Sequence, residues 1–279
     1  MRQSICIRKH YPWVDLSVKP NFQAISQKSA VLVHQVSSLV FSHTDVLILT
    51  FVCGLQAVSV YSIYATVYGM VGNVISIVAG SVQSVFGLMA VTSVLIMPFM
   101  ALYTAGADID YLDWKIPLLF TIYQLLSYGR TPSHNPIGFA GKFKETQWRA
   151  WLETIINLVV SFVCVFQFGI YGVLVGTVTA LLYRANDIII FANKMVLNRS
   201  PWPTYRRWLV NLAVFAVVII TVIRLPLDMS TLPLLFVHAL WITPVTLTLF
   251  MVVNSIAEPD ARRTAMEYVR SMIRSVFKR

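Results

Sequence analysis

The chain has 279 residues, 57% of them hydrophobic and only 12% charged, a balance that excludes a water-soluble globule of this length. Its net charge of +10 comes from 22 Lys and Arg against 12 Asp and Glu. The cations collect in alternate loops between apolar runs, so topology accounts for the charge and no nucleic-acid partner is required.

Residues 1–28 form a basic lead-in with Pro12 and Pro20 and no secretory-signal pattern, so the first apolar run has to direct insertion itself. A bilayer-crossing helix needs about 20 mostly apolar residues. On that measure the predicted spans are 30–53, 55–78, 88–105, 115–130, 148–168, 170–193, 208–225 and 231–255. Helices are favoured over a barrel because the runs are continuously apolar, whereas barrel strands alternate over about ten residues. The predicted fold is therefore all-α, a polytopic transmembrane helical bundle of about eight spans, with 29–257 as one membrane domain.

Gly54 to Ala107 contains no charged residue. Both its ends belong on the same side, so it crosses an even number of times, as two spans joined near Phe86-Gly87. After the last span, 258–279 carry Met266, Val269, Ile273, Val276 and Phe277 at helical spacing, with Arg262, Arg263, Arg270, Arg274 and Lys278 between them. That pattern predicts a basic amphipathic helix lying on an anionic bilayer surface.

Orientation follows from the basic groups. Arg2, Arg8, Lys9, Lys19 and Lys28 precede the first span; Arg130, Lys142, Lys144 and Arg149 lie after the fourth; Lys194, Arg199, Arg206 and Arg207 lie after the sixth; six more lie in the tail. Only Lys115, Arg184 and Arg224 fall elsewhere. The positive-inside rule then predicts that both termini are cytoplasmic, with Asp108, Asp110, Asp113 and Asp228 on the other side.

Polar groups inside the spans are the functional candidates, because a central Asp, Lys or Arg costs about 2.5 to 3.5 kcal/mol on insertion scales. Asp45 lies in the first span with His34, Gln35, His43 and Thr44; it binds a cation or a substrate hydroxyl, or it pairs with a neighbouring helix. Glu153 and Asn157 are four apart and share a helix face. With Arg184, Asn186 and Asp187 of the following span they make either a substrate site or a plain ion-pair cluster. Arg130 precedes Thr131-Pro132, where its guanidinium either grips a phosphate bidentately or serves as an ordinary positive-inside anchor. Gly172 and Gly176 allow close helix packing, and His238 reads as a packing residue. Cys6, Cys53 and Cys164 have no metal-ligand or redox spacing, so no metal site is expected. Nor is there a P-loop, GxGxxG, HExxH or paired acidic motif, and an enzyme is not expected.

The run from Gln27 to Gly87, with KSAVLVHQVSSLVFSHTDVLILT and then GLQAVSVYSIYATVYGMVGNVISIVAGSVQSVFG, resembles the start of the carboxy-terminal half of bacterial polysaccharide flippases, in the multidrug/oligosaccharidyl-lipid/polysaccharide exporter superfamily. It continues through PFMALYT (98–104), YGRTP (128–132), AGKFKETQWRAWLETIINLVVS (140–161) and FGIYGVLVGTVTALLYR (168–184). The resemblance implies one of two helical lobes enclosing a partly cationic cavity in the bacterial cytoplasmic (inner) membrane. That cavity would flip undecaprenyl-diphosphate-linked oligosaccharide by alternating access, for surface polysaccharide such as lipopolysaccharide. It makes Asp45 a contact for a coupling ion, Na+ or H+, or for sugar, and it makes Arg130 and Arg184 contacts for phosphate or acidic sugar; no other cofactor is implied.

The family has about fourteen spans and the resemblance covers its last eight or so. Its implied partners are the lipid bilayer, the lipid-linked oligosaccharide, and an amino-terminal half-transporter or a second copy of this chain. Relatives carry a longer polar linker where this sequence turns at Phe86-Gly87, which suggests a partial or truncated copy. The alternatives are a drug or small-molecule antiporter of the same superfamily, and an inactive membrane remnant or scaffold. A sugar-transferring membrane enzyme is disfavoured by the short external loops.

Overall fold

Continuous apolar runs with satisfied internal hydrogen bonds give helices throughout, and the computed structural model, which describes residues 28–78, 81–259 and 267, has no strand among them. In chain order these are α1 (Lys28–Val52), α2 (Leu55–Val78), α3 (Val82–Tyr103), α4 (Lys115–Gly129), the short α5 (Thr131–Phe139), α6 (Phe143–Phe168), α7 (Ile170–Phe191), α8 (Trp202–Ile223) and α9 (Leu232–Ala257). A π-turn at Ala192–Val196 closes α7. The basic lead-in and nearly all of the amphipathic helix predicted at 258–279 lie outside the described residues.

Seven of these helices are long and apolar enough to cross a bilayer. Their outward faces are apolar: Phe51 is 85% exposed, Ile77 84% and Leu240 81%. This is the inverse of a water-soluble surface, and the chain is a multi-pass membrane protein with the predicted all-α bundle. The fourth predicted span differs in length, because α4 has 15 residues and rises only about 22 Å against a hydrocarbon core of ~30 Å. It still runs beside α2 from end to end. Tyr64 donates its hydroxyl to the Tyr111 carbonyl and Tyr68 to the Pro117 carbonyl, while Tyr128, in the last turn, fills the place a Cβ on Gly72 would occupy. Arg130 stays in αR conformation, so the chain passes almost straight into α5.

Successive long helices alternate in direction and divide the loops into two sets. One end of the bundle carries Arg130, Lys142, Lys144, Lys194, Arg199, Arg206 and Arg207, and the other carries Asp108, Asp110, Asp113 and Asp228. Exposed aromatic residues mark both levels, Trp148 and Trp202 at the basic end and Tyr103 and Trp114 at the opposite one, the girdle expected where rings meet headgroups.

Three expected boundaries move. The turn predicted at Phe86-Gly87 falls inside α3, which starts at Val82 after Ser81 in extended conformation. Gly87 is there for packing, since a Cβ on it would come within 2.8 Å of Leu247 Cδ2 on α9. Helices α6 and α8 also begin earlier than predicted, at Phe143 and Trp202, because polar first turns project past the apolar segment that hydropathy detects.

The site is positioned by the α6–α7 hairpin, which packs more extensively than any other helix pair. Gly169 makes the turn at φ 55°, a left-handed conformation that costs glycine little. Beyond it the two backbones nearly touch: a Cβ on Gly172 would lie 2.3 Å from the Cys164 carbonyl oxygen, and one on Gly176 would lie 2.6 Å from the Ser161 backbone nitrogen. The predicted close packing at Gly172 and Gly176 is thus present. Because the obstruction is main chain, Gly176→Val is expected to cost about 1–3 kcal/mol or more by overpacking. The check is folded yield and melting temperature in detergent, and a melt equal to the unsubstituted chain would refute it. Helix α1 packs along α6, α4 along α7, and the α8–α9 hairpin on α3. Between α2 and α4, Phe120 sits among the rings of Tyr61, Tyr64 and Tyr68 at centroid distances of 5.3, 6.3 and 5.4 Å.

Candidate functional site

The end of α4 and the facing turns of α6 and α7 bring five charged side chains together. Arg130 Nη1 donates to Glu153 Oε1 at 2.7 Å, and Arg184 Nε lies 3.3 Å from Glu153 Oε2. Arg184 Nη1 donates to Asp187 Oδ2 at 2.8 Å, and Arg149 pairs with the other oxygen of Asp187. The result is one continuous ladder, Arg130–Glu153–Arg184–Asp187–Arg149, with three guanidinium groups, two carboxylates and a surplus positive charge. Arg184 is the hub, its side chain only 4% exposed. Two ionised partners and a planar, multi-donor fork let it stay charged at a depth where a lone cation would be prohibitive.

Above this ladder is a cavity of about 790 Å³. Arg130, Glu153 and Arg184 form its charged floor, His134 and Thr131 its basic-end rim, and Gln35, Ser38, Ser42 and His43 of α1 its hydroxyl- and amide-bearing wall. Gln35, Ser38, Ser42 and His43 are exposed although they lie within a membrane span, so they face water or another protein surface and not hydrocarbon. Two cross-links hold α1 against α6. His34 Nε2 meets Thr146 Oγ1 and the Phe143 carbonyl, each at 3.2 Å, and the Ser37 and Thr154 hydroxyls lie 3.1 Å apart. Burial, and then the Arg130 and Arg184 guanidinium groups, push His134 down to about 4. It is therefore neutral at pH 7, and the cavity's positive charge belongs to the arginines.

Asp45 lies deeper, away from that cavity, in a second polar cluster. Its Oδ2 accepts hydrogen bonds from Tyr61 of α2 at 3.0 Å and from Thr177 of α7 at 2.7 Å, and Asn157 Nδ2 of α6 donates to Thr177 Oγ1 at 2.9 Å. Four helices thus converge on one carboxylate that is 3% exposed. The remaining oxygens, Asp45 Oδ1 and Asn157 Oδ1, are buried and have no hydrogen-bond partner among the described residues. Buried acceptor oxygens without a donor are costly unless a protic or positively charged group reaches them.

All six predicted residues are polar groups inside the bundle, but they form two sites. Arg130, Glu153, Arg184 and Asp187 belong to the ladder, and Asp45 and Asn157 to the buried cluster; the Glu153 group is an ion-pair network, and Arg130, Glu153 and Arg184 of it also line the cavity. Arg149, Thr177, Tyr61 and His134 belong to the ladder, the buried cluster or the cavity lining and were not singled out from the sequence as candidates. Arg149 reads as one more positive-inside anchor, and a Thr or Tyr in an apolar span carries no signal of what it faces. Cys53 and Cys164 are free thiols and partly buried. His238 is half-buried, its Nε2 3.0 Å from the Asp228 carbonyl oxygen and its Nδ1 accepting from Trp241 Nε1, in keeping with a packing residue whose ring nitrogens are satisfied. Comparison with protein-family models, with curated proteins and with solved structures finds no match to the chain.

Proposed function

We propose that this chain is one lobe of a flippase that carries undecaprenyl-diphosphate-linked oligosaccharide across the bacterial cytoplasmic membrane, with its basic end and both termini cytoplasmic. The carrying observation is two arginines, Arg184 buried and Arg130 partly buried, sharing one glutamate on the floor of a hydroxyl-lined cavity among membrane-spanning helices. A diphosphate-sugar head needs bidentate cations for its phosphate oxygens, hydrogen-bonding groups for its hydroxyls and shelter from hydrocarbon. The surplus positive charge favours this reading over a small-molecule antiporter exporting cationic drugs, which the arginines would repel. The ordered motifs at 27–87, 98–104, 128–132, 140–161 and 168–184 support it independently.

In this reading Arg130 and Arg184 take the phosphates, and the α1 serines and Gln35 take sugar hydroxyls. The exposed polar wall of α1 faces a completing lobe, an amino-terminal half or a second copy. Asp45 Oδ1, Asn157 Oδ1 and the Thr177 hydroxyl fit a coupling cation, Na+ or H+, which would offset the buried carboxylate and bias alternating access.

The test is surface-polysaccharide delivery in a flippase-deficient strain expressing the chain alone or with a matching amino-terminal half. Restoration by the pair only would support a split flippase, and restoration by the chain alone would support self-assembly of two lobes. Failure of both despite stable insertion would leave the scaffold or inactive remnant.

A further inference from the structure

We infer that Arg149, which lies outside the cavity, is a positioning residue for it: by neutralising Asp187 it keeps the cavity floor one charge positive and holds Arg184 in place beside Glu153. The inference rests on the anion-binding reading above and adds a residue on which the strength of that binding depends.

Arg130, Glu153 and Arg184 line the cavity, and together they carry one net positive charge. Neither Asp187 nor Arg149 is among the described residues that line it. Asp187 nevertheless acts on the floor, because its Oδ2 accepts from Arg184 Nη1 at 2.8 Å. Left alone, a carboxylate there would cancel the surplus charge, and away from bulk water such a charge is felt well beyond contact distance. Arg149 pairs with the other oxygen, Oδ1, and restores the balance from behind.

What holds Arg149 is distinct from the ladder. Its guanidinium lies 5.1 Å from the Trp148 ring and 5.0 Å from the Phe191 ring, and both faces attract a cation. Phe191 is buried with Ile137, Ile188 and Ala192, so the packing of α5 against the end of α7 fixes one ring of this clamp. Asp187 is three residues from Arg184 on α7, and a carboxylate fixed by Arg149 also fixes the guanidinium that donates to it. Arg149 therefore acts on a bound anion through Asp187 and Arg184, with no contact of its own.

A charge-setting role and a bracing role predict different signs. If Arg149 and Asp187 only brace the helices, loss of either weakens anion binding and loss of both weakens it further. If they set the charge of the floor, the two losses act in opposite directions and cancel when combined.

The experiment is titration of inorganic pyrophosphate into the purified full chain in detergent at fixed ionic strength, so that screening is the same throughout. Arg149→Met is expected to bind about tenfold more weakly and Asp187→Asn about tenfold more tightly, with the double variant within about threefold of the unsubstituted chain. Arg149→Lys keeps the charge and is expected to recover most of the loss. Tighter binding cannot come from a damaged fold, so Asp187→Asn decides the matter even where Arg149→Met does not fold. An Asp187→Asn variant that binds no more tightly than the unsubstituted chain would overturn the inference and leave the anion site standing. Absence of pyrophosphate binding by the unsubstituted chain, or binding that Arg130→Met leaves unchanged, would overturn both the inference and the reading on which it rests.

Discussion

Replacing Arg184 with Met is expected to destabilise the bundle by about 1–3 kcal/mol. The arginine supplies Nε to Glu153 and Nη1 to Asp187, and its removal leaves Glu153 with Arg130 alone and Asp187 with Arg149 alone, each carboxylate about a tenth exposed. Arg184→Lys is expected to recover only part of the loss, since an ammonium is a point charge and cannot present two edges to two acids on different helices. Arg130→Met should cost much less, because its side chain is 21% exposed and solvent screens the pair. The sharpest control adds Arg130→Met and Arg149→Met to Arg184→Met, Glu153→Gln and Asp187→Asn, which removes all five charges of the ladder together. It is expected to melt near the unsubstituted chain, because the penalty arises from unpaired charge and not from loss of the ion pairs themselves. The measurement is thermal unfolding in detergent. A single Arg184→Met variant melting within about 1 °C of the parent would show that the ladder carries no such charge dependence.

Asp45→Asn is expected to separate fold from function. An Asn oxygen can still accept from Tyr61 and Thr177, so the hydrogen bonds that tie α1 to α2 and α7 survive, and the melting temperature without Na+ should hold. What the change removes is the negative charge of the buried cluster. Na+-dependent stabilisation of the purified chain should disappear, and polysaccharide delivery with a matching half should fall about tenfold or more, the scale of a coupling of 1–3 kcal/mol. Asp45→Leu should instead destabilise by about 1–3 kcal/mol, because it leaves the buried Tyr61 and Thr177 hydroxyls without their acceptor. Undiminished Na+ stabilisation in Asp45→Asn would remove Asp45 from any cation site.

Much of the fold was legible because a membrane makes hydropathy decisive. Seven of the eight predicted spans are helices long enough to cross, and the alternation of basic and acidic loops reappears as the two ends of the bundle. The eighth, α4, shows the limit of that signal: its run of apolar residues ends at Arg130, and what carries it from end to end is its contact with the α2 tyrosines. The error at Phe86-Gly87 has the same origin, since a glycine that breaks a helix and one that admits a neighbouring Leu side chain look alike in a list of residues.

The candidate residues were legible for a related reason: an ionisable group in a span is conspicuous because hydrocarbon penalises it. Their division into a ladder and a buried cluster was not. Glu153 and Asn157 lie on one helix face, one turn apart, yet they belong to different sites. Asp45 finds its acceptor geometry with Thr177, 132 positions away, and Arg149 joins the ladder through Asp187 on the next helix.

The sequence by itself determined that the chain is a polytopic helical membrane protein with opposed basic and acidic ends, because hydrophobic length and loop charge are properties of single segments. Only the tertiary structure decided which charges meet, which oxygens are left bare and where the cavity opens. Those depend on the rotation and axial offset of one helix against another, quantities fixed by contacts such as Gly172 on Cys164 and Gly176 on Ser161 and by no local pattern of residues.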